Sequence, residues 1–458
     1  MSETTTRFWH PFADMAAVST QGELVLARGE GARVFDEQGR GYLDAAGGLW
    51  FANVGHGRQE IAQAAARQMS TLASYSAFAD LATRPALDLA ERLAEMAPMA
   101  GARVFFTSGG SDSVDTAVKL VRRYWSEVGQ PQRQVIVTRQ HAYHGMHLAG
   151  TSLAGIPANQ ASHGVLDPAV IVIPWDDAEA LRDVLDERDD IAAFFCEPVI
   201  GAGGVYAPPE GYLEAVRDTC RRHGVLFVAD EVITGYGRTG AMFASDRWNL
   251  DPDIVLTAKG LTSGYLPMGA VIVSGRVADP FWTPQDHPVL WRHGYTYSGH
   301  AAAAAAALAN LDILEREGLV ARVDELQHDL AGALSPLAAY DVIAEVRTGV
   351  GLLTAVDFTP EALSAGVPAR VRAGMRERGV LTRTLASGAI QVSPPFVISG
   401  DDIVELAEVM GDSLTAAGAV TAPVTASAAD LLPQITTDEG VDGFDDDHYL
   451  RDRPPHHG

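Results

Sequence analysis

The chain reads as an α/β protein built on an open, mostly parallel sheet. Three observations predict this. Apolar, strand-like runs alternate with helix-periodic segments through the middle of the sequence, and the 458 residues are enough to bury substantial cores. In addition, two opposite charges each close an apolar run: Asp230 in HGVLFVADEVITGYGRTG and Lys259 in DPDIVLTAKGLTSGYLPMGAVIVSG. Charges at the carboxyl ends of buried strands fit the crevice in which open α/β sheets bind ligands.

A lone lysine at a strand end ordinarily reaches out to water. Lys259 is delivered by an apolar run and followed at once by glycine, a setting that strips hydration and favours the neutral, nucleophilic amine. It reads as a Schiff-base lysine. A buried Asp230 is costly unless paired. A pyridoxal-type cofactor uses both groups, the amine to hold its aldehyde and the carboxylate to keep its ring nitrogen protonated so that the ring acts as an electron sink.

The string ADEVITGYGRTG followed by TAKGLTSGYLPMGA resembles the class III, fold-type I, pyridoxal-phosphate-dependent aminotransferases of the omega, or amine:pyruvate, kind. The similarity runs from about residue 20 to 415. It implies a large domain with a mostly parallel seven-stranded sheet and a smaller α+β domain. Residues 1–59 would join the small domain, 60–325 form the cofactor domain, 326–417 complete the small domain, and 418–458 form an acidic tail.

Taken in order, LVLARGEGARVFDEQGRGYLD has a hairpin pattern, and IAQAAARQM and PALDLAERLAEM read as helices. VFFTSGGSDSVDTAVKLVRRYW then gives a strand, a small-residue turn and a helix whose Val114, Val118, Val121 and Trp125 form a buried stripe. Free N–H groups and the helix dipole favour a phosphate at its amino end, at Gly110 and Ser111, although an ordinary Ser/Asp cap reads the same way. The family usually has Asn-Ser-Gly-Ser-Glu where Ser108 to Asp112 stand here.

Beyond the strand-like QVIVTRQ lie His141, Tyr143 and His144 in HAYHG. Flat rings past a strand end can stack on a planar cofactor, and the resemblance gives that role to Tyr143 with His144 beside it. With His147 the cluster is rich in histidine, but neither cysteine lies nearby to complete a ligand set, so no metal is expected. Glu197 ends IAAFFCEPVIGAGG, where it ties loops together or faces the cofactor. Val232 would share a face with Asp230 if that strand continued, and the resemblance packs it on the ring face opposite Tyr143.

WRHGYTYSGHAAAAAAALANLDIL joins an aromatic loop to an alanine-rich helix, with Ala301 where the family commonly has proline. The resemblance implies that Thr296 reaches the phosphate bound by a second subunit, hence a homodimer with shared active sites; dimer and tetramer both remain open. It also assigns Trp50 in GGLWFANVGHGR and Phe78 in SYSAFADL to substrate pocket walls, joined by Tyr143. Arg383 in GVLTRTLASGAIQVSPPF offers a rigid fork for a keto acid's carboxylate, with a surface ion pair as the plain alternative.

The expected activity is transfer of an amino group from a primary amine or omega-amino acid to a keto acid such as pyruvate. An aminomutase, a decarboxylating transaminase and a non-catalytic cofactor-binding scaffold are the rival readings. A formal charge of −25 argues against a broad nucleic-acid or anionic-membrane surface. No long apolar span or secretory pattern stands out, and two cysteines, Cys196 and Cys220, point to a reducing cytoplasm. Residues 421–458 hold eight acids against two arginines, a composition suited to a solvent-facing tail.

Overall fold

Seven apolar segments pair into one sheet, in the spatial order Arg103–Thr107, Gly269–Val273, Ile254–Thr257, Leu226–Asp230, Ile191–Cys196, Val135–Arg139 and Val170–Ile173. Gly269–Val273 runs antiparallel to both its neighbours, and every other pairing is parallel. The computed structural model in which this sheet is seen describes residues 6–286 and 288–421, so nearly all of the acidic tail lies outside the described residues. Five strands, Val135–Arg139, Ile191–Cys196, Leu226–Asp230, Ile254–Thr257 and Gly269–Val273, are buried along their whole length. Helices cover both faces of such a sheet, which is why these strands read as unbroken apolar runs and not as alternating ones.

The helix Gly110–Glu127 buries Val114, Val118, Val121 and Trp125, the stripe its sequence spacing predicts. Trp125 Nε1 also donates to the Ala192 carbonyl at 2.8 Å, joining the helix to the neighbouring sheet. The alanine-rich helix spans Ala301–Arg316 and packs on the helices Gln59–Leu72 and Arg84–Met96. It starts at Ala301 without a proline, because the His300 ring accepts from Ala303 N–H at 3.4 Å and satisfies one of the free donors there.

Two smaller sheets flank this unit. Leu26–Glu30, Arg33–Asp36 and Gly41–Asp44 form an antiparallel meander, and Val380–Leu381 adds to it in parallel beside Gly41–Asp44. Ile343–Val350, Leu353–Phe358 and Ile390–Val392 form the other. The amino-terminal meander is tied to the helix Gly400–Ala416 by Arg33, which reaches Asp402 at 2.6 Å and also Glu405. Chain segments from both ends of the sequence thereby meet beside the carboxyl edge of the large sheet. Ser393 N–H, for example, donates to the Ala45 carbonyl at 2.7 Å.

Candidate active site

A cavity of about 140 Å³ opens where the parallel strands end, lined by Leu49, Gly110, Ser111, Val114, Tyr143, His144, Gly145, Glu197, Asp230, Val232, Ile233 and Lys259. Each strand that feeds it contributes its last residue or the loop that follows it. Lys259 opens a short 3₁₀ turn, Lys259–Leu261, two residues beyond the strand Ile254–Thr257. Its φ of 42° is left-handed, a strain that a residue with a side chain carries only where its surroundings fix it. What surface Lys259 keeps opens onto the cavity, and its amine is otherwise enclosed by protein. Burial lowers its pKa from 10.5 to about 8; Asp230 and Glu197 oppose that shift, and Arg383 and Arg238 reinforce it.

Asp230 is the last residue of its strand and is buried. It already has partners within the chain. Oδ2 lies 2.7 Å from His144 Nδ1, and Oδ1 accepts from Val232 N–H at 3.1 Å. His144 is itself buried, and its Nε2 has no hydrogen-bond partner among the described residues. The three nearby histidines diverge: His144 turns to Asp230, His147 to Asp112 at 3.4 Å, and His141 packs against Tyr206. Val232 does not lie on a continued strand, since the strand ends at Asp230, yet the following turn still brings it to the cavity.

At the other end of the cavity the helix Gly110–Glu127 points its amino terminus inward, with the first N–H groups lacking intrahelical acceptors. A Cβ on Gly110 would stand 2.9 Å from Val232 Cγ1, so glycine is required for this close approach. The Ser111 hydroxyl accepts from Met146 N–H at 3.1 Å, which holds the HAYHG loop over the helix start and leaves its own O–H free to donate. Asp112 turns back to accept from Ser108 N–H at 2.9 Å. Glu197 accepts from Tyr143 N–H at 2.9 Å and Gly201 N–H at 3.0 Å, so it braces the loop that carries Tyr143 while lining the cavity. Burial raises its pKa.

Leu49, which the sequence did not single out, lines the cavity, and Trp50 is not among its lining residues. Left-handed backbone at Gly47, Gly48 and Trp50 turns Leu49 into the cavity and draws Trp50 behind it, where it is only 2% exposed. The indole is held there by Nε1 donating to Ser393 Oγ at 3.2 Å, with Lys259 Nζ 5.2 Å and the Arg383 guanidinium 4.6 Å from its ring centre. Arg383 is half-buried and, among the described residues, makes no ion pair; its Nε lacks a partner. Phe78 and Thr296 are both exposed and do not line this chain's cavity. Phe78 lies instead against Gly294, in the loop that carries Thr296. Leu49, Gly145 and Ile233 complete the lining without having been singled out by sequence, because apolar and glycine residues in loops carry no chemical signal, and Val114, expected only as part of the buried helix stripe, joins them.

A buried amine and a buried carboxylate, a helix amino terminus and flat side chains around one cavity at a sheet's carboxyl edge define a pyridine-cofactor site of the kind used for amine chemistry. Residues 15–414 match the family model for class III aminotransferases. The chain is 36% identical over 422 residues to the putrescine–pyruvate aminotransferase of Pseudomonas aeruginosa, covering 86% of this chain and 91% of that one. It is likewise 36% identical over 439 residues to the mitochondrial gamma aminobutyrate transaminase 1 of Solanum lycopersicum, covering 88% and 84%. Among solved structures, an amine transaminase from an uncultivated Pseudomonas species in its pyridoxal-phosphate-bound form superposes with a TM-score of 0.86 at 38% identity, covering 91% of this chain and 100% of that one. An (S)-enantioselective omega-transaminase from Thermomicrobium roseum gives 0.85 at 38%, covering 89% and 96%. The chain belongs to the class III aminotransferases, enzymes that work with pyridoxal 5'-phosphate. Its residues fit that group: free helix N–H groups for a phosphate, a carboxylate fixed by His144 for a ring nitrogen, and a desolvated amine for an aldehyde.

Proposed function

We propose that this aminotransferase moves an amino group from a primary amine or omega-amino acid to a keto acid such as pyruvate. Arg383 carries the finer reading. Its guanidinium lies over Trp50, close enough to Tyr143 and Lys259 for their charges to interact, and has donor capacity to spare. A keto acid's carboxylate can take that fork. A donor amine without a carboxylate needs only the apolar wall of Leu49, Val232 and Ile233.

When bound, pyridoxal phosphate supplies an aldehyde that accepts amines and a ring that takes up the electron pair left by a departing proton. Gly110 and Ser111 would hold the phosphate through backbone N–H groups, and Tyr143 and Val232 would flank the ring. Asp230, oriented by His144, would keep the ring nitrogen protonated, and Glu197 braces the Tyr143 loop. Lys259 would hold the aldehyde, and its desolvated amine is suited to take a proton from a substrate carbon. Phe78 and Thr296 serve the site of a second copy in a homodimer. We also place the enzyme in the cytoplasm, supported by two buried, unpaired cysteines, and divide it into a cofactor domain over 60–325 and a small domain over 326–417 with 1–59. No described helix is long and apolar enough to cross a membrane.

The test is the cofactor's absorption spectrum, followed through a panel of amines without keto acid and then after pyruvate. Conversion to the aminated cofactor by an amine, reversal by pyruvate, and loss of both in Lys259→Ala are expected. If no amine converts the cofactor, an aminomutase or decarboxylating reaction takes the place of this reading.

A further inference from the structure

At Ser393, the residue that also anchors the Trp50 indole, lies a cation that the steps above do not use. Arg238, in the GYGRTG turn, is 0% exposed. Its Nη1 donates to the carbonyls of Ser393 at 3.3 Å and Pro394 at 2.7 Å, and its Nη2 to Asn53 Oδ1 at 2.9 Å. Its guanidinium lies 4.6 Å from the Phe396 ring centre, and Nε has no partner. No carboxylate touches it among the described residues. Asp44 is the acid whose charge it feels, and that carboxylate is engaged by His56 at 2.8 Å. A buried cation held by neutral acceptors alone is expensive, because carbonyl dipoles replace only part of the lost hydration.

The groups it holds bear directly on Lys259. Asn53 donates to the Tyr236 carbonyl at 2.9 Å, and its amide packs so closely on Gly260 that a Cβ there would stand 2.5 Å from Nδ2. Ser393, whose carbonyl takes Nη1, also receives the Trp50 indole N–H, and Trp50 faces Lys259 Nζ. Resting on the reading of Lys259 given above, we propose that Arg238 is a positioning residue for that lysine. It clamps the Asn53 and Ser393–Pro394 segments, which contact Gly260 and Trp50, and it presents an uncompensated positive charge to the amine. The charges acting on Lys259 are Asp230 and Glu197, which favour its protonated form, and Arg383 and Arg238, which favour the neutral one. Arg383 sits on the substrate side and meets the substrate's charge. Arg238 is sealed from substrate and solvent and keeps its influence throughout the cycle.

The sequence makes this measurable, since Lys119 and Lys259 are its two lysines and Lys119 is exposed. In the full chain carrying Lys119→Arg and 13C-labelled lysine, one side-chain Cε resonance reports the Lys259 titration. It is followed in the cofactor-free protein and with pyridoxamine phosphate added. Arg238→Met is expected to raise the midpoint by roughly half a pH unit or more. Arg238→Lys keeps the charge while losing the three-acceptor fork; it adds a second labelled lysine, whose resonance is identified as the one that persists when Lys259→Met is combined with it, and the Lys259 midpoint should stay near the parent's even as urea stability falls. Asn53→Asp sets a carboxylate against Nη2 with Arg238 in place and should raise the midpoint as Arg238→Met does, which decides the matter if Arg238→Met does not fold. A midpoint unmoved by either charge-removing change, or moved equally by Arg238→Met and Arg238→Lys, would overturn the proposal and leave Arg238 a structural clamp. The cofactor-free titration stands whether or not Lys259 joins a cofactor, so its outcome is separate from that of the spectral test.

Discussion

Lys259 is an amine held where burial works against its charge. In the unfolded chain it titrates near the ordinary 10.5, and in the folded chain near 8. Between those values the unfolded state binds more protons, so this residue's contribution to stability rises with pH from about 8 to 10.5. Below that window the cost is fully present, on the order of 3 kcal/mol. Lys259→Met in the cofactor-free protein should therefore be more stable to urea than the parent at pH 7, with the difference gone by pH 10.5. Asp230 invites the opposite kind of change. Asp230→Asn keeps the shape and the His144 contact but removes the charge that would hold a ring proton. Turnover should fall about a hundredfold or more with cofactor still bound, read from kcat and the bound cofactor's absorption. Both residues were legible in the sequence, because a charge closing an apolar run is a local signal. The His144–Asp230 contact was not, since it joins positions 86 residues apart. Nor was the burial of Trp50, which depends on left-handed backbone at a non-glycine residue.

Among the elements, the helix Gly110–Glu127 and the turn after the strand Leu226–Asp230 approach each other through a single glycine. Gly110→Ala would drive its methyl into Val232, and overpacking of that kind costs roughly 1–3 kcal/mol. Because the displaced atoms are the helix start and a cavity wall, the cost should appear as about tenfold weaker pyridoxal phosphate binding, with little change in folding. Gly110→Ala combined with Val232→Ala should recover most of the loss by fluorescence titration, since the second change removes the atoms the first one meets. The strand–turn–helix order of this element was plain from the VFFTSGGSDSV pattern and its 3.6-residue stripe. The sheet was less so. Gly269–Val273 runs antiparallel among parallel neighbours, yet GAVIV is as uniformly buried as they are. Burial on both faces erases the alternation that would have distinguished it. The four-stranded sheet hid its last member for another reason: Val380–Leu381 is two residues long and pairs with a segment more than three hundred positions earlier.

For the molecule as a whole, the separation of Thr296 and Phe78 from their own chain's cavity matters most. Both stand exposed, with Phe78 against Gly294 in the loop that bears Thr296. That loop is anchored to its own phosphate-facing helix: Thr116 Oγ1 meets His293 Nε2 at 2.9 Å and Tyr295 OH at 3.1 Å, and Tyr295 OH donates to the Asp112 carbonyl at 3.1 Å. A loop fixed so firmly beside one site, yet presenting its hydroxyl outward, suits delivery of Thr296 to a second copy. Hybrid dimers of Lys259→Ala with Thr296→Val chains test this arrangement by complementation. If each site takes Lys259 from one chain and Thr296 from the other, the hybrid has one site with both defects and one with neither. Mixing two impaired parents should then restore one site of native cofactor affinity, and transaminase turnover with it, for every hybrid pair. If Thr296 serves its own chain, each hybrid site keeps a single defect, and mixing restores neither affinity nor turnover beyond the average of the parents.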